Sequence, residues 1–288
     1  MKSPPFAYVR ATSLDDVFGL KEAHGDDARI LAGGQSLMPT LNMRLSSPEI
    51  LVDINHIDGL AGIAMEGDVL TIGALTRHVE VEGSDMVASH APLVAAAMPY
   101  IAHPAIRNRG TIGGSLALAD PAAELPACMV ALGAEFTLAS KGGERRVAAA
   151  SFFKGLFETE MKEAEVLTRI HIPPASADRR SAFEEIVRRQ GDFARAGVAA
   201  TANLAGSILT DLKLVYFAVA DRPILAEKAG AAAEGADLSP DGRATTIAAV
   251  QAALADDIDP AADLHASVAM KAHLASVLAA RVLTALGA

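Results

Sequence analysis

The chain has 288 residues, 51% of them hydrophobic, enough apolar material for one large or two moderate cores, with two domains the default expectation. A formal net charge of −10, with basic residues scattered singly or in pairs such as Arg145-Arg146 and Arg188-Arg189, argues against a nucleic-acid surface, and 4% aromatics with no Trp leaves no stacking platform for bases. The single cysteine, Cys128, excludes an internal disulfide and cannot supply the thiolates of an iron–sulfur cluster, and the histidines lack ligand-like pairing, so no metal site is expected on this chain.

Near the N-terminus, Ala28-Arg29-Ile30-Leu31-Ala32 and Leu51-Val52-Asp53-Ile54 read as short buried strands. Between them Leu37, Met38, Leu41 and Leu45 recur at roughly helical spacing, which predicts a turn and a short helix. Ile63-Ala64-Met65 and Val69 to Gly73, joined through Gly67-Asp68, predict an antiparallel hairpin. A helical segment over Pro92 to Ala102 follows, then strands at Ala134 to Leu138 and Glu165 to Ile172. The polar stretch Pro173 to Arg180 reads as a linker, placing domains at 1–175 and 176–288, the first with lobes of about 1–58 and 59–175. Beyond it, strands are expected near Ser181 to Phe183, Val198 to Leu204 and Leu212 to Val219. The Ala-rich run Ala229 to Ala236 reads as a helix interior, and a closing helix presents Leu264, Val268, Leu274, Leu278 and Val282 on one face. No run of about 20 uncharged apolar residues marks a membrane span, and Met1 to Phe6 shows no secretory signal, so a cytoplasmic address is the expectation.

Two loops carry candidate chemistry. In Leu31-Ala32-Gly33-Gly34-Gln35-Ser36-Leu37 a strand runs into a glycine pair and a hydroxyl residue at a helix start, where unpaired N–H groups can meet a phosphate. Thr111-Ile112-Gly113-Gly114-Ser115 repeats the wording. Two such loops can clamp a pyrophosphate from two sides, although each could equally be a plain glycine turn. The P-loop lysine and the GxGxxG spacing are both absent.

Both loops closely resemble the FAD loops of the medium subunits of molybdenum hydroxylases, the xanthine dehydrogenase and carbon monoxide dehydrogenase family. The resemblance extends to Asp53-Ile54-Asn55, Ile72 to Arg77, Pro104 to Asn108, Ala119 to Pro126, Phe152 to Gly155, Gly191 to Ala194 and Asp263 to Ser267. It implies an α+β fold: a two-lobed FAD-binding domain of the vanillyl-alcohol-oxidase type, followed by a smaller α+β domain with an antiparallel sheet and helices. It further implies FAD on this chain, two 2Fe–2S clusters on a small partner subunit, a molybdopterin-type molybdenum cofactor on a large one, an external electron acceptor, and an assembly of small, medium and large chains present twice.

Carried over by position, Leu31 to Leu37 and Thr111 to Ser115 would hold the pyrophosphate and ribityl parts of FAD. Glu124 would hydrogen-bond the cofactor, Leu167 would meet it through its backbone, and Ile101 would make an apolar contact. Phe193 stands where some relatives place a Tyr that covers the flavin ring. Many relatives have a lysine near Glu184 or Glu185; an inward-pointing acid there would oppose an anionic reduced flavin. No catalytic acid, base or nucleophile is implied on this chain. The competing readings are a self-contained flavin oxidase or reductase, and an assembly module that has lost its flavin.

Overall fold

The computed structural model of the protein describes residues 2–288. Three sheets carry the architecture. The first is parallel and contains β1 (Ala7–Arg10), β2 (Ala28–Leu31) and β3 (Ile50–Asp53) in the order β1-β3-β2. The central strand is buried along its whole length, and its run Ile50-Leu51-Val52 suits a strand covered on both faces. A capping box starts the helix Leu14–His24 between β1 and β2: Ser13 Oγ accepts from the Asp16 N–H at 3.1 Å, and the Asp16 carboxylate accepts from the Ser13 N–H at 3.0 Å. The short helix expected between the next two strands is Leu37–Asn42.

The second sheet is antiparallel. It contains β4 (Ile63–Glu66), β5 (Val69–Gly73), β6 (Glu135–Ser140) and β7 (Gly143–Ala148). After a small ribbon of β8 (Phe153–Gly155) and β9 (Glu158–Thr159), β10 (Val166–Ile172) enters its centre, giving β4-β5-β10-β6-β7. Leu70, Ile72, Phe136, Leu138, Ile170 and Ile172 face the largest core, where Phe136 meets Phe152 edge-on with ring centroids 4.7 Å apart. A bulge between Leu167 and Arg169 puts Leu167 into that same core. From the other side of the sheet, Ala139 and Val166 complete the core of the first lobe with Val17, Phe18 and Val52.

The third sheet is built from β11 (Arg179–Ile186), β12 (Ala196–Ala205), β13 (Ile208–Phe217) and β14 (Ile224–Leu225), all antiparallel, with β15 (Ala236–Asp237) pairing the start of β13. β11 is longer than its apolar part, Ser181 to Phe183, because its outward positions are polar. The helices Arg243–Leu254 and Val268–Leu286 cover one face. Phe183, Ala199, Val215 and Phe217 on the other face join the large core. The helix Glu124–Leu132 therefore lies between two sheets, buried from Glu124 through Ala131, which explains a sequence apolar on every side. Cys128 sits inside it, its thiol pushed up by burial, as an inert core residue.

Two expectations need correction. The Ala-rich stretch is helical only over Glu227–Ala232, and the chain leaves it through Gly235 at φ +71°. The closing helix begins at Val268, capped by Ser267, and Leu264 precedes it with 98% of its surface exposed. This helix, Val268–Leu286, is long and apolar enough to cross a membrane by length and composition, but it carries Lys271 and Arg281 and here it packs along β11 and β12. Its buried Lys271 donates to Asp263 Oδ2 at 2.7 Å. Burial pushes the Asp263 carboxyl up, but Lys271 and the N–H groups of His265 and Ala266 outweigh it and hold the group down at about 2. The stability this lends is present above the ordinary carboxylate range and is lost as the pH falls through about 2. Asp263 is 44% exposed, so solvent screens the pair and Asp263→Asn should lower stability by no more than about 1 kcal/mol at neutral pH, measured by urea unfolding, and by progressively less as the pH falls through about 2.

Candidate cofactor site

The two glycine loops lie side by side. A Cβ on Gly33 would fall 2.8 Å from Gly110 Cα and collide with the Arg109 carbonyl, so glycine alone permits this approach. Gly34 follows at φ +71°. A Cβ on Gly114 would be 3.8 Å from that of Ala32, so the second loop also faces the first at its far end. Gly113 packs on the backbone of Ala74.

A polar bracket fixes the pair. Asn55 Nδ2 donates to the Ala32 carbonyl at 2.8 Å and to Asp53 Oδ1 at 2.7 Å, and Asn55 Oδ1 accepts from Arg77 Nη2 at 2.7 Å. Arg77 Nη1 reaches on to the Arg109 carbonyl. Tyr8 donates its hydroxyl to Asp53 from β1. Sequence reasoning assigned no role to Arg77 or Asn55; each reads as a surface polar residue until the fold brings residues 22 positions apart together.

The loops differ chemically, a distinction their near-identical wording conceals. In the first, the N–H groups of Gly33, Gly34, Gln35 and Ser36 have no acceptor among the described residues. In the second, Ile112 and Gly113 donate to the carbonyls of Thr76 and Ala74, while Gly114 and Ser115 donate to the hydroxyl and carbonyl of Thr111. Those amides are occupied by the fold. What the second loop leaves uncommitted is the hydroxyl of the half-buried Ser115 and the hydroxyl hydrogen of Thr111, a residue 2% exposed whose oxygen caps the helix.

Glu124 stands at the first position of its helix, 7% exposed. Burial, seconded by nearby Asp120, pushes its carboxyl up to about 7. Leu167 and Ile101 are buried in the large core, and the Ile101 carbonyl accepts from Arg107. Phe193 is 70% exposed, on a loop whose Gly191 packs against His103, two residues beyond Ile101. Behind the second loop, His78 lies under Gly110; burial, with the Arg107 cation adding to it, lowers its imidazole to about 4 and keeps it neutral. Among the described residues no group of His, Cys, Asp or Glu could hold a metal ion.

A run of free amides beside a wall of glycine suits the diphosphate of a dinucleotide. Joined to an antiparallel sheet backed by helices, this two-lobed arrangement is that of a flavin dinucleotide-binding module. The family models agree: residues 4–175 match the FAD binding domain in molybdopterin dehydrogenase, and residues 181–286 match the CO dehydrogenase flavoprotein C-terminal domain. The 6-hydroxypseudooxynicotine dehydrogenase complex subunit alpha of Paenarthrobacter nicotinovorans is 44% identical over 204 residues, 71% of this chain and 69% of that one. The carbon monoxide dehydrogenase medium chain of Hydrogenophaga pseudoflava is 36% identical across 99% of this chain and 98% of its own. The structure of quinoline 2-oxidoreductase from Pseudomonas putida 86 superposes with a TM-score of 0.93 at 34% identity, covering 100% of this chain and 98% of that one. The chain belongs to the FAD-binding medium subunits of the molybdenum hydroxylases, a flavoprotein component of a multi-subunit oxidoreductase.

Proposed function

We propose that this chain is the electron relay of its complex. It takes electrons from two 2Fe–2S clusters on a small subunit and passes them to an external acceptor, while the organic substrate is oxidised at the molybdenum centre of a large subunit. Small, medium and large chains each occur twice in the assembly, and the complex is cytoplasmic, in keeping with a chain whose lone cysteine forms no disulfide. The FAD-binding domain spans residues 1–175 and the C-terminal domain 176–288.

The observation that carries the reading is the free-amide loop beside a second glycine loop. Leu31, Ala32, Gly33, Gly34, Gln35, Ser36 and Leu37 hold the pyrophosphate, mainly through their N–H groups. Thr111, Ile112, Gly113, Gly114 and Ser115 close its other side, with the hydroxyls as donors. Glu124 bonds the cofactor, Leu167 and Ile101 line it, and Phe193 covers the ring. FAD, when bound, supplies exchange between two-electron and one-electron steps.

The test is an absorption spectrum with iron and molybdenum analysis on the natively purified complex, before and after its chains are separated. Flavin should stay with this chain while iron and molybdenum leave with the partners. An isolated chain that oxidised an organic substrate at a normal rate would overturn the relay.

A further inference from the structure

The glycine loops at 31–37 and 109–115 touch, yet among the described residues no hydrogen bond joins them directly. The hydrogen bonds that link them pass through the side chains of Asn55 and Arg77. The backbone around Arg77 is stitched to the second loop: the Ile112 N–H donates to the Thr76 carbonyl at 3.1 Å, and the His78 N–H to the Gly110 carbonyl at 2.9 Å. The guanidinium continues the line, with Nη1 on the Arg109 carbonyl and Nη2 on Asn55 Oδ1. Asn55, two residues beyond β3, carries it to the first loop. Chemistry allows the Asn55 amide one orientation. Arg77 can only donate, so it meets Oδ1; the Asp53 carboxylate can only accept, so at 2.7 Å it meets Nδ2. Burial pushes the Asp53 carboxyl up, but the donors of Tyr8 and Asn55 outweigh it and hold the group below the usual carboxylate range.

The effect of that orientation lies one peptide further on. A trans peptide is planar, and its C=O and N–H point in opposite directions. Asn55 Nδ2 holds the Ala32 carbonyl at 2.8 Å, so the N–H of Gly33, in the same peptide plane, is aimed to the opposite side. That N–H is the first of the amides, Gly33 to Ser36, that have no acceptor among the described residues. The same two side chains also occupy carbonyls. The Arg109 oxygen lies against Gly33 itself, and a carbonyl dipole left free beside an anion would repel it. Arg77 takes that oxygen and Asn55 takes the oxygen of Ala32. The line therefore runs one way, from the Arg77 cation through the Asn55 amide and the Ala32–Gly33 peptide to a free N–H, and each bond polarises the next.

We propose that Asn55 and Arg77 are positioning residues for a diphosphate: Asn55 aims the Gly33 N–H at it through the shared peptide, and Arg77 fixes Asn55 in the orientation that does so. This rests on the assignment of FAD to the glycine loops. Both residues lie outside those loops and act on the ligand through the backbone they hold. Because the group recognised is the diphosphate, FAD and inorganic pyrophosphate lose affinity together when the line is cut.

The experiment titrates the full-length chain, freed of flavin, with FAD by fluorescence and with inorganic pyrophosphate by calorimetry, alongside NMR of a sample carrying isotope-labelled glycine. In the wild type pyrophosphate should shift the amide resonance of Gly33 and leave in place that of Gly113, which the Ala74 carbonyl holds. Asn55→Ala should abolish the Gly33 shift and weaken FAD and pyrophosphate by the same factor, about tenfold to a hundredfold, the loss of one aimed donor to an anion. Arg77→Met should lose a similar factor, and the double variant no more than about threefold beyond either single one, because the two act in series. Asn55→Asp offers Arg77 a carboxylate but has no donor for Ala32, so it should fold, as read by urea unfolding, and bind no better than Asn55→Ala. An FAD affinity within about twofold of wild type in Asn55→Ala or Asn55→Asp overturns the positioning role and leaves the FAD assignment standing. So does a loss confined to FAD, or a wild type that binds FAD while pyrophosphate leaves the Gly33 amide unmoved. A wild type that binds neither ligand removes both.

Discussion

Gly33→Val is expected to yield a folded protein without flavin. The new Cβ has nowhere to go: Gly110 Cα lies 2.8 Å away and the Arg109 carbonyl is closer still, and both are backbone atoms that cannot rotate aside. Relief comes only by parting the loops, which strains the bracket of Arg77 and Asn55 and carries the free amides away from the hydroxyls of Thr111 and Ser115. Overpacking of about 1–3 kcal/mol, felt at the site itself, weakens binding by about tenfold to a hundredfold or more. Flavin content relative to protein is the measurement, with far-UV circular dichroism to establish that the fold survives. Wild-type flavin content in Gly33→Val would remove the first loop from the site.

Arg107→Met should be the most damaging single change to stability. Arg107 is buried, with Nε 2.8 Å from Glu82 and Nη1 donating to the carbonyls of Ile101 and Ala102 at 3.0 and 3.2 Å. Methionine fills similar space but strands a carboxylate and two carbonyls and frees Ala102, held at φ +47°, from its anchor. Glu82 retains some contact with water, so a loss of about 3 kcal/mol is expected, at the lower end for a broken buried pair, read from urea unfolding. Arg107→Lys should recover only part of it, because an ammonium cannot serve the fork that Arg107 fills. A loss under about 0.5 kcal/mol would mean the pair lies on a mobile surface.

Much of the framework could be read from residues alone. Short apolar runs gave β3, β5 and β10, because a strand between two layers leaves no room for polar interruption, while β2 and β4, less buried, were marked by the glycines that follow them. β7 escaped notice for the opposite reason: Gly-Glu-Arg-Arg-Val-Ala lies at a sheet edge, exposed along most of its length, and has no apolar alternation. Leu264 was misassigned because an apolar residue at helical spacing looks the same on either side of a cap. At the site, the glycines marked both loops, but their shared wording concealed that one set of amides is free and the other spent on Thr76 and Ala74. The apolar run Ser181 to Phe183 stops before Glu184 and Glu185, and which acid points inward is set by the register of β11 with β12. Arg77 and Asn55 act only through each other, a contact no local pattern announces.

The shared core of the first lobe has a consequence for how the protein is made. Val17, Phe18 and Val52 leave the ribosome early, but the residues that close over them, Ala139 and Val166, follow much later in the chain. The first glycine loop, residues 31–37, thus belongs to a lobe whose core cannot close until residues 139 and 166 have been synthesised. The lobe has its complete floor only once β10 lies between β5 and β6, so flavin added to a chain truncated before β10 should not bind.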